Sequence, residues 1–244
     1  MRQLLYLAIF LMLPSIMQPQ SACDKSNVCP ASSGTTFSYV GTGNCTTNTT
    51  SCSVTYSPTN GNLVVADVEC RDFTASQNPS LTTDNGTSTW SNAFTGGQQS
   101  GTYYNNEDYT LSSAGSPTSI TGHCGAATVS IIVIVTEYSR TSGSWVFGGA
   151  TTFAYSTSTT AMSNSVTPTS GIPALIHAYV MNATNNTGTW TNGNSTIRAN
   201  KGDNNSSFLI ASGDQIVSSA SGSYTASANT ASSIFWKIWA TWYE

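Results

Sequence analysis

From residue 62 to residue 244, short runs of β-branched and aromatic residues alternate with Gly, Asn, Ser and Pro punctuation. The runs carry a period of two and no sustained period of 3.6, which predicts many short strands joined by turns. Residues 63–70 put Val64, Ala66, Val68 and Cys70 on one face and Leu63, Val65, Asp67 and Glu69 on the other, the strand emerging into solvent at its acidic end. Residues 129–135 are apolar on both faces, as a central strand requires. Residues 174–181 and 234–243 complete the strongest strands. In the last, Ile234, Trp236, Ile238, Ala240 and Trp242 share one face, and Lys237 lies opposite them beside Phe235 and Trp239.

The pattern repeats itself once. Ser57-Pro58-Thr59-Asn60-Gly61 leads into Leu63-Val64-Val65-Ala66-Asp67-Val68, and Thr167-Pro168-Thr169-Ser170-Gly171 leads into Leu175-Ile176-His177-Ala178-Tyr179-Val180. Downstream, Thr89-Trp90-Ser91-Asn92 matches Thr189-Trp190-Thr191-Asn192. Each half would supply one sheet of alternating strands, and neither can bury its apolar face without the other. The expected fold is all-β: a two-sheet antiparallel β-sandwich of jelly-roll type over residues 57–244, with a disulfide-stapled N-terminal segment, residues 23–56, packed on it.

The N-terminus changes the cellular picture. Arg2, an apolar run over residues 4–13 and Pro14 have the layout of a secretory signal peptide, with cleavage after Ala22. The run is about half of the ~20 apolar residues a membrane span needs, so no transmembrane span is expected. Cys23, Cys29, Cys45, Cys52, Cys70 and Cys124 form an even set in an exported chain, enough for three disulfides. Cys70 and Cys124 sit in or beside apolar strands and are the favoured pair. Ser21-Ala22-Cys23 also resembles the end of a bacterial lipoprotein signal, but a lipid anchor at Cys23 would strand one thiol. Charged residues are 7% of the chain and the net charge is −4, with Lys and Arg scattered singly, so no basic stripe addresses nucleic acid.

At its landmark motifs the chain resembles a set of uncharacterised, secreted bacterial β-sandwich modules of jelly-roll type. The landmarks are residues 61–66, Glu137-Tyr138-Ser139, the turn from Thr167 into Leu175, and Gly222-Ser223-Tyr224-Thr225-Ala226 before the aromatic strand at 234–242. The resemblance implies a cell-surface or released module of the kind found in adhesin-like proteins, with no established activity. The cysteine-rich leader departs from that pattern.

Candidate chemistry is sparse. Asp67 and Glu69 share a strand face, as paired glycosidase carboxylates would, although a solvated strand end is the simpler reading. The only histidines, His123 and His177, belong to no nucleophile motif, and His123 beside Cys124 reads as a neighbour of a half-cystine. Asp84-Asn85-Gly86 and Asp203-Asn204-Asn205 lack the alternating acids of a calcium loop. The Asn-Xaa-Ser/Thr triplets, from Asn44 to Asn205, follow from composition. Lys237 raises a Lys-Asn isopeptide crosslink, against the plainer expectation of a lysine snorkelling from the outer sheet face. No metal or cofactor is implied.

Sugars stack on Trp and Tyr while amides and carboxylates take their hydroxyls, which makes a loop bearing Tyr103, Tyr104, Asn106, Asp108 and Tyr109 the favoured ligand site. Trp90 and Trp190 are further candidates, or sandwich packing residues. The favoured function is therefore a secreted or cell-surface bacterial binding module for a glycan or surface partner. A self-associating structural envelope protein and a glycoside-active enzyme using Asp67 and Glu69 are the alternatives.

Overall fold

The period-two runs become strands in the computed structural model, which describes residues 34–71, 79–99, 103–125, 130–182, 189–204 and 208–244. The expected signal peptide, Cys23, Cys29 and Asn205 lie outside the described residues. In chain order the strands are β1 (Phe37–Thr47), β2 (Ser51–Thr55), β3 (Leu63–Arg71), β4 (Ser80–Asp84), β5 (Ser91–Gln99), β6 (Tyr103–Thr110), β7 (Ser119–His123) and β8 (Ser130–Arg140). They continue as β9 (Phe147–Ala150), β10 (Ala154–Met162), β11 (Ala174–Asn182), β12 (Thr191–Asn192), β13 (Thr196–Gly202), β14 (Leu209–Val217) and β15 (Ser227–Tyr243). No helix occurs among the described residues, so none is long and apolar enough to cross a membrane.

All pairings are antiparallel. One sheet runs β1-β8-β3-β6-β5, a second runs β10-β15-β11-β14-β13 with β9 and β12 also on β15, and a small third sheet runs β2-β7-β4. The first eight strands thus build the first and third sheets, and the last seven build the second. The two large sheets match strand for strand, β1 with β10, β8 with β15, β3 with β11, β6 with β14 and β5 with β13. The cysteine-rich segment is continuous with this frame: its β1 is an edge strand of the first sheet and its β2 joins the third.

The repeated motif occupies equivalent places. Gly61 and Gly171 turn the chain at φ +89° and +84°, a region costly for any residue with a Cβ. Gly61 N–H donates to Ser113 C=O and Gly171 N–H to Ala220 C=O, each at 2.9 Å. An acid locks each turn: Thr59 N–H donates to Glu137 Oε1 at 2.8 Å, and Thr169 N–H to Glu244 Oε1 at 2.5 Å. The glutamate thus satisfies a turn N–H that has no strand partner.

The strand faces sort as alternation demands. Val64, Ala66, Val68 and Cys70 pack outward with Ile131, Val133 and Val135 against Val54 and Ile120 of the third sheet. Ile176, Ala178 and Val180 pack outward with Trp236, Ile238 and Ala240 against Ala226, Ala228 and Trp190. The opposite faces of the two large sheets meet each other. That inner layer is apolar at its two ends, around Leu63, Tyr138, Leu175 and Tyr243 at one and Ile132, Ile134, Met181 and Phe208 at the other.

Among the described residues, two disulfides tie the first half. Cys45–Cys52 closes a separation of 7 residues between β1 and β2, and Cys70–Cys124 closes 54 residues between the end of β3 and the residue after β7. A disulfide stabilises chiefly by restricting the unfolded chain, and the longer loop gains more. Replacing Cys70 and Cys124 together by Ala should lower unfolding free energy by about 4 kcal/mol, and the Cys45/Cys52 pair by less. Urea unfolding of the two double variants checks the order, and equal losses would contradict it.

Candidate functional site

The middle of the inner layer is where the chemistry lies. Among the described residues every Asp and Glu except Asp84 is buried, so a chain poor in charge keeps its acids inside. Asp67 and Glu69 on β3, Asn105 and Glu107 on β6, His177 and Tyr179 on β11, and Lys237 and Trp239 on β15 are all fully enclosed, at 0% exposure. Burying an ion costs several kcal/mol unless partners satisfy it, so each partner here matters.

One cluster is centred on Glu69. β3 and β6 pair with Glu69 opposite Asn105, which places the two side chains together on the inner face. Asn105 Nδ2 donates to Glu69 Oε2 at 2.8 Å, and the Tyr179 hydroxyl donates to the same oxygen. Lys237 Nζ crosses from the second sheet and donates to Asn105 Oδ1 at 2.6 Å. Its ammonium also lies over the rings of Phe153 and Trp239, at 5.1 and 5.8 Å from their centroids. Burial raises the Glu69 carboxyl and Lys237 pulls it partly back; burial lowers the Lys237 amine and Glu69 opposes that shift.

The second cluster is a chain of hydrogen bonds. Trp239 Nε1 and the hydroxyls of Thr241 and Tyr243 donate to Glu107, at 2.7, 2.5 and 3.2 Å. His177 Nε2 contacts Asp67 Oδ2 at 3.1 Å and its Nδ1 contacts the Tyr138 hydroxyl at 3.1 Å. Tyr138 is bonded in turn to Asp214, whose carboxylate takes a bidentate pair from Arg198 at 2.6 and 2.9 Å. Burial works against a charged His177, but Asp67 and Glu107 outweigh it and raise the imidazole to about 9. Glu107 is raised to about 7 by burial, against the pull of His177. Asp67, Glu107 and His177 each offer a ligand atom within 4.8 Å of one another. In the structure Glu107 is engaged by Trp239, Thr241 and Tyr243, and Asp67 by His177.

Several expectations are corrected here. Asp67 and Glu69 do not emerge into solvent, because β3 is a central strand and the second sheet roofs its inner face. Lys237 does not snorkel: both faces of β15 are covered and alternation aims it between the sheets. The expected tyrosine loop is strand β6, between β3 and β5. Tyr103 and Tyr104 are buried, Tyr103 edge-on to Phe208 and Tyr104 in the outer apolar cluster. Asp108 accepts from Thr82 N–H and Oγ1 at 2.8 Å each and so anchors β4 to β6, while Asn106 donates to Asp108 at 2.6 Å and accepts from Thr95 Oγ1 of β5 at 2.8 Å. Trp90 and Trp190 hold equivalent packing places in the two outer cores. Asp84 caps its own turn through Gly86 N–H at 2.7 Å and holds Trp90 Nε1 at 2.9 Å, and Asp203 is paired with Arg71. His123 contacts the Thr83 hydroxyl at 2.8 Å.

At the far end of that strand Tyr109 and Thr110 reach a surface hollow. Its ring stacks on Phe147 at 4.7 Å and meets Tyr243 edge-on at 5.6 Å. The half-buried remainder borders an open groove of about 320 Å³ with Thr87, Thr89, Ser91 and Leu111. No protein-family model matches the chain, and neither a curated protein nor a solved structure is found similar to it.

Glu107 and His177 both bind their protons more tightly folded than unfolded. Their contribution to stability is complete below the ordinary carboxylate range, declines as pH rises through about 7 for Glu107, and declines further through about 9 for His177. Glu69 adds to the first decline. The urea midpoint is expected to be higher at pH 5 than at pH 7 and to fall again toward pH 9, with His177→Gln removing the second fall. A midpoint that climbs from pH 5 to pH 8 would refute the assignment.

Proposed function

We propose that this chain is an extracytoplasmic bacterial binding module, secreted or held at the cell surface, whose groove at Tyr109 recognises a carbohydrate. The observation that carries the reading is a half-buried tyrosine lining an open hollow together with serine and threonine residues. An aromatic face takes the C–H surface of a sugar ring, and the hydroxyls of Thr87, Thr89 and Ser91 exchange hydrogen bonds with the sugar's own. The groove volume falls in the range of small-ligand sites. The ring is held rigidly by Phe147 and Tyr243, so little side-chain entropy is lost on binding. Paired disulfides support the extracytoplasmic setting.

A second reading, a self-associating envelope protein, is favoured by a different surface. Edge strand β10 exposes Tyr155 and Met162, and Tyr155 stacks against Phe235 of β15 at 6.3 Å. An edge of this kind can pair with another copy. The glycosidase reading draws no support from the placement of Asp67 and Glu69, since both carboxyls are sealed between the sheets.

Binding to an array of bacterial and host polysaccharides is expected, and Tyr109→Ala should weaken it at least about tenfold while circular dichroism stays unchanged. No polysaccharide bound, or equal binding by the variant, would overturn the groove assignment. On a sizing column the protein should stay monomeric over a wide concentration range. Dimers lost on Tyr155→Ser would favour the second reading instead.

A further inference from the structure

Lys237 is the one described lysine placed wholly inside the protein, and nothing in the carbohydrate reading uses it. An apolar side chain of similar size would fill the site without the cost of desolvating an amine. The amine sits on a carboxamide, and the acid sits on the other end of that carboxamide. Amine, amide and carboxyl come from three strands, β15, β6 and β3, and from both sheets.

We propose that Lys237 and Asn105 join in an intramolecular isopeptide bond, with Glu69 as the acid-base group that carries the proton. Lys237 Nζ attacks Asn105 Cγ, and the carbonyl electron pair moves onto Oδ1. Glu69, hydrogen-bonded to Nδ2, delivers its proton to that departing nitrogen and takes up the proton that the attacking nitrogen gives up. The carbonyl re-forms, the Cγ–Nδ2 bond breaks and ammonia leaves. One amine and one carboxamide become one secondary amide plus ammonia, Glu69 ends as it began, and no oxidant or cofactor enters.

The surroundings meet each demand of the reaction. The nucleophile must be a neutral amine, and burial among Phe153, Trp239 and Tyr179 favours that form. The acid must hold a proton, and the same burial favours the protonated carboxyl. Glu69 Oε1 has no hydrogen-bond partner in the structure, so the carboxyl keeps an unengaged oxygen while Oε2 contacts the leaving nitrogen. Fixing the reactants in contact replaces an encounter with a unimolecular step, which lowers the barrier. Room for the pair comes from Gly96 on β5. A Cβ there would collide with the Asn105 carboxamide and approach Lys237 Nζ to 3.2 Å.

The test is mass spectrometry of the purified full chain, reduced and alkylated, then digested and sequenced. The expected result is a branched peptide joining β6 to β15 through Asn105 and Lys237, and a protein mass lower by one ammonia than the sequence requires. Glu69→Gln keeps the shape and the contact to Asn105 but not the proton transfer, so it should fold and retain its full mass. Gly96→Ala, a second variant that leaves all three reactive groups in place, should also leave most of the protein uncrosslinked. A folded wild-type protein at full mass would overturn the proposal. So would an ammonia deficit without the branched peptide, as a cyclised asparagine gives, and a crosslink persisting in Glu69→Gln would remove Glu69 from the mechanism. Loss of polysaccharide binding has no bearing on these outcomes, because the Tyr109 groove shares none of these residues.

Discussion

Taking charge out of water governs what lies between the two large sheets. The outer cores are conventional, aliphatic and aromatic side chains packed where alternation puts them. The layer between the sheets instead encloses Asp67, Glu69, Glu107, His177 and Lys237, any one of which would oppose folding if left without partners. The layer is tolerable because the two sheets bring complementary groups. The acids come from β3 and β6 of the first sheet, while the tyrosine, tryptophan, histidine and lysine that answer them come from β11 and β15 of the second. Apolar clusters at both ends keep water out, which strengthens every interaction inside.

That division of labour follows from how the chain repeats itself. Each half makes the same five-strand order, precedes its central strand with a positive-φ glycine and clamps the turn before it with a buried glutamate. The outward faces remain interchangeable in kind: Val64, Ala66 and Val68 against Ile176, Ala178 and Val180. The inward faces have diverged. Where β3 carries Val65, Asp67 and Glu69, β11 carries His177, Tyr179 and Met181 at the matching positions. Two identical faces could pair with either partner in several registers, whereas an acidic face and a donor-rich face fit in one. Shape alone specifies such a docking weakly, and charge that must be matched specifies it strongly.

The sequence discloses the fold more readily than the site, and the reason is physical. Alternation is a local property, so the strands at 63–70, 174–181 and 234–243, their faces, and the duplication around Gly61 and Gly171 could all be read from single residues and their neighbours. The Cys70–Cys124 bridge was legible because both sulfurs lie in or beside apolar runs. What an inward-facing polar residue meets is not local. Asp67 and His177 are 110 residues apart, and Lys237 and Asn105 are 132 apart. Without the partner sheet, Asp67 and Glu69 read as a strand end, residues 103–110 as a polar loop and Lys237 as a surface lysine. A signal was present in Lys237 itself, flanked by Phe235, Trp236, Ile238 and Trp239, since so apolar a neighbourhood leaves an amine little path to water.

The same constraint explains where strength is placed in the molecule. Both disulfides lie within the first half, so no sulfur joins that half to the second among the described residues. Contact between the two large sheets rests on the inner layer, and hydrogen bonds between buried groups resist thermal opening better than sustained pulling, because each can be exchanged for water once a gap forms. A covalent link from β6 to β15 would sit at the middle of that layer, beyond the reach of reductants, and would close a loop far longer than either disulfide does. In the proposed cell-surface setting, where load is applied from outside and thiol chemistry varies, that is the joint most in need of a bond that does not exchange.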